Sequence, residues 1–146
     1  MKVWFIPVRM AGCMRAGKRH RQKLRTSMTK KERNPRSDLI NHLEALRRSG
    51  QVRLDAAEAA ALAYALSAAP PGEIALFGSR VEPNRRGGDI DVLLLTDAPA
   101  FETSQAMAVR FFSRCEEKID VVVINPNTIT PEQQDFLDRI TQVRLQ

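Results

Sequence analysis

The chain has 146 residues, of which 43% are hydrophobic and 27% are charged, and this composition fits one globular domain with a modest core. The net charge of +6 is unevenly distributed. Residues 1–36 hold twelve Lys and Arg against one acid, while residues 37–146 hold eleven against sixteen. We therefore expect a basic, disordered tail over residues 1–36 and a mildly acidic folded domain over residues 37–146.

Targeting segments, disulfides and clustered metal-binding thiols are not indicated by the sequence. The apolar stretch at residues 3–8 is interrupted by Pro7 and is too short for a secretory signal, and no run approaches the length of a membrane span. Cys13 and Cys115 form no metal-binding spacing, and the two histidines have no partner group beside them. We expect a cytoplasmic protein without a membrane segment, with Met28 as an alternative start.

Two helices are predicted before the first strand. Ser37 is placed to cap a helix over residues 37–49. Asp55 and Glu58 form a capping-box pattern at the start of an alanine-rich helix over residues 56–68. The first helix carries an apolar stripe that is expected to pack in the core or against a partner, namely Leu39, Ile40, Leu43 and Leu46.

Three strands and two further helices are predicted in the rest of the chain. Short apolar runs indicate strands at residues 74–77, 89–95 and 119–124. A helix from about residue 97 to about residue 117 lies between the last two strands. Its expected buried side chains are Phe101, Ala108, Phe111, Phe112 and Cys115.

The last predicted helix begins with Thr130 as its cap and Pro131 at its first position. It is expected to pack through Phe136, Leu137 and Ile140. Val143 and Leu145 either continue this helix or form an edge segment. The order of elements predicts an α/β (α+β) fold, in which a small mixed sheet carries helices mainly on one face.

The segment between the first two strands has the residues best suited to chemistry. Gly78 allows the backbone and its N–H groups to approach a phosphate, and the Ser79 hydroxyl adds a donor. Asp89 and Asp91 project from the same face because strand side chains alternate. Two neighbouring carboxylates need a compensating cation, and such ligands suit Mg²⁺ together with phosphate oxygens. The pattern predicts half of a phosphoryl-transfer site.

Gly78-Ser79, a nine-residue spacer and Asp89-Ile90-Asp91 within an apolar strand together resemble the signature of the DNA polymerase β-like nucleotidyltransferase superfamily. More narrowly, the chain resembles the minimal nucleotidyltransferases. That family has a third carboxylate on a later strand, and Asp120 stands where it is expected. The resemblance covers roughly residues 55–146, and it implies the polymerase β-like palm with three carboxylates at one end of the sheet.

The resemblance also implies a role for each of these residues. Asp89 and Asp91 would hold two Mg²⁺ ions that bridge the triphosphate of ATP or another nucleoside triphosphate. Asp120 would complete the metal site and accept the proton of the attacking hydroxyl. Gly78, Ser79 and Arg80 would bind the phosphates. Further cations that could neutralise the departing pyrophosphate are Arg85, Arg86 and Lys118.

The implied reaction is Mg²⁺-dependent transfer of a nucleoside monophosphate, AMP from ATP in the favoured case, to a hydroxyl acceptor. The chain has no room for the acceptor-binding domain of larger relatives, so a partner protein is expected to supply the acceptor. Minimal nucleotidyltransferases are commonly antitoxins encoded beside a HEPN-type ribonuclease toxin, which makes such a toxin the candidate partner.

Two alternatives to an active enzyme remain open at this level. The spacer differs from the usual family pattern at Val81-Glu82-Pro83 and at Gly87-Gly88, which fits a catalytically weak or inactive protein that neutralises its partner by binding. The basic tail over residues 1–36 fits a nucleic-acid-binding protein, because Lys and Arg that neutralise phosphates release counterions.

Overall fold

The structure, a computed structural model, describes residues 35–146, which belong to the compact unit Glu32–Gln146. The helices are α1 (Pro35–Arg48), α2 (Ala56–Leu66), α3 (Ala100–Phe112) and α4 (Pro131–Arg139). The strands are β1 (Glu73–Phe77), β2 (Ile90–Leu95), β3 (Ile119–Ile124) and β4 (Gln142–Arg144), and a 3₁₀ turn, Gly78–Val81, directly follows β1. The predicted basic tail and its nucleic-acid contact lie almost entirely outside the described residues.

The four strands form one mixed sheet in the order β3-β2-β1-β4. β1 runs antiparallel to β2 and to β4, whereas β2 and β3 are parallel and are joined by α3 as the crossover helix. The segment around Val143 is therefore an edge strand and does not continue the last helix, which decides between the two alternatives left by the sequence. The small mixed α+β fold is confirmed.

Alternating side chains divide the apolar residues of the sheet between its two faces. Helices α1, α2 and α3 pack on one face, in a cluster that includes the fully buried Leu76, Ile90 and Val92. Helix α4 covers the other face, where Phe136 and Leu137 pack against a smaller cluster. Three helices on one face and one on the other confirm the expectation that helices pack mainly on one face of the sheet.

Two of the three predicted helix caps are confirmed. Asp55 accepts a hydrogen bond from the N–H of Glu58 at 2.7 Å, and the Glu58 carboxylate accepts one from the N–H of Asp55 at 2.8 Å. Thr130 and Gln133 form the same reciprocal pair at the start of α4, with Pro131 at the first helical position. The two caps fix where the chain enters helices on opposite faces of the sheet.

The boundaries of three helices differ from the sequence expectation. α1 begins at Pro35, so Ser37 lies inside the helix and does not cap it, because proline is well suited to the first helical position. α2 ends at Leu66, two residues early, and α3 ends at Phe112 instead of near residue 117.

The buried face of α3 also differs from the expectation. The predicted burial of Phe101 and Phe112 is wrong, since both side chains are exposed. The helix turns Thr103, Met107 and Phe111 inward at intervals of four residues. Because the inward series includes a threonine, the hydrophobic residues alone do not show which face of the helix is buried. Apolar side chains consequently remain on the outer face.

Candidate functional site

Three aspartates stand at the end of the sheet where β2 and β3 begin. The parallel register pairs Asp91 with Asp120, and paired residues on adjacent strands point to the same face. Asp89 precedes Asp91 by two positions and immediately precedes β2. The face is the one covered by α4, because Leu93 and Ile124 further along the same two strands belong to the α4 cluster.

Gly78 is packed directly against the Asp91 side chain. It has a φ of 72°, and a Cβ built on it would fall on the Asp91 Oδ2 atom, closer than side chains ever approach. A glycine therefore meets two requirements here, the left-handed backbone and the space for a carboxylate. The adjoining residue Phe77 pairs with Asp91 across the ladder and makes an edge contact with Phe136, at 5.5 Å between ring centroids.

Burial and then the negative charges of Asp120 and Asp89 raise the pKa of Asp91 above its ordinary value of 3.8. The protein thus holds Asp91 where its ionised form is unfavourable, and no salt bridge to it is found within residues 35–146. A bound cation relieves the repulsion among carboxylates that are grouped in this way.

The donor set fits Mg²⁺ in chemistry, although the side chains do not converge on one point. Among the described residues, no three His, Cys, Asp or Glu side chains are grouped closely enough to hold a metal ion as they stand. The candidates Asp89, Asp91 and Asp120 offer only carboxylate oxygens, which Mg²⁺ prefers. Asp120 is exposed on a strand about 4.8 Å from its neighbour, so its side chain can turn towards Asp91.

Two arginines tie the loop at residues 78–88 to itself and to the segment at residues 53–58. Arg53 donates from Nε to the Glu82 carbonyl at 3.0 Å, and from Nη2 to the Ser79 and Gly87 carbonyls at 2.5 and 3.3 Å. These bonds join the two ends of the loop to one guanidinium. Sequence reasoning missed Arg53, because it lies 26 residues or more before its partners and belongs to no local motif.

The second arginine is Arg80, which the sequence assigned to phosphate binding. The structure instead buries its guanidinium in a two-pronged ion pair with Glu58, with N···O distances of 2.8 and 3.1 Å. It also donates to the Gly88 carbonyl at 3.0 Å and to the Arg53 carbonyl at 3.0 Å. A buried guanidinium with four bonds is committed to the protein, so Arg80 positions the loop.

Ser79 is partly buried beside the other end of the loop. Its hydroxyl lies 3.5 Å from the Gly87 carbonyl, and a Cβ on Gly88 would fall on that hydroxyl oxygen. The Gly87-Gly88 pair therefore allows the returning chain to pass close to Ser79. The three remaining candidate cations are all exposed, and of these Arg85 is paired with Glu82 at 2.8 Å; the other two are Arg86 and Lys118.

Comparison with models of known protein families gave no match, and neither did comparison with curated proteins. In the described part of the chain, no helix combines the length and apolar character needed to cross a membrane.

Proposed function

We propose that this chain is a nucleotidyltransferase of the polymerase β-like type, which transfers a nucleoside monophosphate from a nucleoside triphosphate to a hydroxyl. The observation that carries the proposal is the meeting of Gly78 with Asp91 beside two further carboxylates, Asp89 and Asp120. A glycine turn and an anionic cluster in contact suit a triphosphate bound together with Mg²⁺.

The candidate residues would bind either Mg²⁺ or the phosphates. Asp89 and Asp91 would hold Mg²⁺, with Asp120 completing the ligand set on the adjacent strand. The backbone at Gly78 and the hydroxyl of Ser79 would contact the phosphates. Bound Mg²⁺ would supply neutralisation of the triphosphate charge and of the leaving pyrophosphate.

The proposed step is an in-line displacement at the α-phosphorus. The acceptor hydroxyl oxygen forms the new P–O bond, the bond from the α-phosphorus to its bridging oxygen breaks, and pyrophosphate leaves with the electron pair. Asp120 is exposed at the rim of the cluster and accepts the hydroxyl proton on a carboxylate oxygen. The products are the nucleotidylated acceptor and pyrophosphate.

Nucleotide binding can be tested by calorimetry with ATP, in the presence and absence of Mg²⁺, on the wild type and on Asp89→Asn/Asp91→Asn. We expect binding that requires Mg²⁺ and is lost in the double variant. Asp97→Asn is the matched control, because Asp97 is an exposed aspartate that follows β2 at its other end. A folded double variant that binds Mg²⁺-ATP as the wild type does would refute the proposed site.

The acceptor is proposed to be a hydroxyl on a partner protein, with AMP from ATP as the transferred group and a HEPN-type toxin as the candidate partner. The support is that the described residues 35–146 form one sheet with its covering helices, and no separate acceptor-binding unit stands among these residues. Incubation with ATP labelled at the α-phosphate, Mg²⁺ and the candidate partner should label the partner. Absence of label, with ATP binding intact, would reject this acceptor and leave the nucleotide site standing.

A second candidate function, partner binding without catalysis, is favoured by one specific observation. Arg80 is committed to Glu58 and Arg85 is paired with Glu82, so two of the four candidate cations already have carboxylate partners. A protein of this kind would inhibit its partner equally well after Asp89→Asn/Asp91→Asn. An active antitoxin enzyme would lose inhibition together with transfer.

A further inference from the structure

Helix α3 carries an apolar stripe on the side facing away from the core. The α3 stripe consists of Phe101, Gln105, Val109 and Phe112, whose spacing of four, four and three residues places them on one face. Phe101 is 72% exposed, Val109 is 63% exposed and Phe112 is 52% exposed. In the described part of the chain, four large hydrophobic side chains are at least 41% exposed, and these are three of them. The exposed apolar surface is therefore concentrated on one helix.

The core cannot take up this stripe by a small rotation of the helix. Thr103, Met107 and Phe111 already face the sheet, and Met107 and Phe111 are fully buried. Turning the stripe inward would expose both. The exposed phenylalanines are therefore either covered by a partner or remain in contact with water, which is unfavourable in free energy.

The charges beside the stripe are arranged with opposite signs at the two ends of α3. Glu102 lies in the first turn, whereas Arg110 lies in the last turn and Arg114 just beyond it. Within residues 35–146 none of the three has an opposite charge within 4.0 Å. Both arginines instead lie over the Tyr64 ring, with Arg114 Cζ 3.7 Å and Arg110 Cζ 5.3 Å from its centroid.

We propose that a second copy of this chain covers the α3 stripe, through antiparallel contact of the two α3 helices about a two-fold axis. An antiparallel pair sets Phe101 of each copy opposite Phe112 of the other. It also brings Glu102 of each copy to the flank that carries Arg110 and Arg114 in the other, so each Glu102 gains positively charged neighbours. Two-fold symmetry repeats every contact, which is how a self-complementary patch forms a closed dimer.

The size of the stripe limits the area that this dimer can bury. Scaling the roughly 200 Å² of a phenylalanine side chain by its exposed fraction gives roughly 150 Å² for Phe101 and roughly 100 Å² for Phe112. With Val109 and its polar neighbours, each copy contributes roughly 400 to 500 Å². The total of roughly 800 to 1,000 Å² lies below the roughly 1,200 Å² at which standard specific interfaces begin, so we expect a weak dimer with a dissociation constant in the micromolar range or above.

The test is the mass of the full chain by sedimentation equilibrium, at concentrations from about 1 to about 100 µM. We expect a monomer–dimer equilibrium in the wild type and a monomer in Phe101→Ser/Phe112→Ser. Ile40→Ser is the matched control, because Ile40 is 41% exposed on α1, outside the stripe. Circular dichroism of each variant verifies that loss of the dimer is not loss of the fold.

Charge reversal provides an independent arm. Glu102→Arg should weaken the dimer roughly fivefold or more, and addition of Arg114→Glu should restore part of the affinity. A wild type that stays monomeric at about 100 µM would overturn the proposal and leave a different protein as the occupant of the stripe. A dimer that is unchanged in Phe101→Ser/Phe112→Ser would overturn it as well. Neither result depends on nucleotide binding, so the proposed enzyme activity is judged separately.

Discussion

The ion pair between Glu58 and Arg80 yields the sharpest prediction on stability. Both side chains are about one-tenth exposed or less, and two hydrogen bonds of 2.8 and 3.1 Å join them. Glu58→Gln keeps the size of the side chain and its ability to cap α2, since glutamine also serves at this capping-box position. It removes the negative charge and turns an amide N–H₂ group towards a buried guanidinium.

The expected cost follows from leaving Arg80 charged and buried without its counter-ion. Breaking a buried pair in this way costs about 3 kcal/mol, with a range of about 2 to 5. The whole domain is expected to be stable by about 5 to 15 kcal/mol, so a single substitution removes a large part of the free energy of unfolding. Urea unfolding followed by circular dichroism measures this loss.

Two controls separate the ion pair from its surroundings. Asp55→Ala removes the capping hydrogen bond but leaves the ion pair, and it should cost only about 1 kcal/mol. Glu58→Leu/Arg80→Met removes both charges and should cost less than the sum of its single variants, because neither charge is left unpaired. The reasoning is refuted if Glu58→Gln costs no more than Asp55→Ala, or if the double variant shows full additivity.

Three further predictions concern the site and the outer helix. Asp91→Asn should stabilise the protein at pH 7 by up to about 1 kcal/mol, a value discounted for partial exposure. The raised pKa of Asp91 favours its protonated form in the fold, so this group's contribution to stability is present at acid pH and is lost as the pH rises through that pKa. The advantage of the variant in urea unfolding should accordingly fade as the pH falls towards 3.8, and a constant advantage would contradict the assignment. Gly78→Ala should cost about 2 to 4 kcal/mol, against about 1 for Gly87→Ala, because both have positive φ but only Gly78 meets another side chain. Equal thermal shifts in the two would show that contact with Asp91 is unimportant. Phe111→Ala should cost about 3 to 5 kcal/mol and Phe112→Ala less than about 1, as measured by urea unfolding, and the reverse order would mean that α3 faces the other way.

The sequence predicted those parts of the fold that depend on neighbouring residues. Capping boxes and strands are encoded within a few positions, which is why Asp55 with Glu58, Thr130 with Pro131, and the run at residues 119–124 were found. The outer face of α3 was not predicted, because Phe111 and Phe112 are adjacent and composition does not tell which one faces inward. The inward choice depends on Met107 and on the sheet beneath it.

In the candidate site too, features encoded by neighbouring residues were predicted, and features that depend on distant contacts were not. Asp89, Asp91 and Gly78 were singled out by residue type and spacing, because each lies in or next to a strand. Asp120 was singled out by the resemblance to the nucleotidyltransferase signature. The scaffold of the loop was not predicted, since Glu58 and Arg80 are separated by 22 residues and meet only when α2 packs on the sheet. Glu58 was assigned to helix capping alone, and no local pattern reveals its second partner.

The parallel register of β2 and β3 has a consequence for how this protein can change in evolution. Asp91 and Asp120 are far apart in sequence, yet they lie side by side on adjacent strands because both strands begin level with each other. Insertions in the crossover after α3 would leave that alignment untouched. One residue inserted between Ile119 and Asp120 would turn the carboxylate to the opposite face. Relatives of this chain should therefore vary in the length of the crossover but not in the number of residues at the start of either strand.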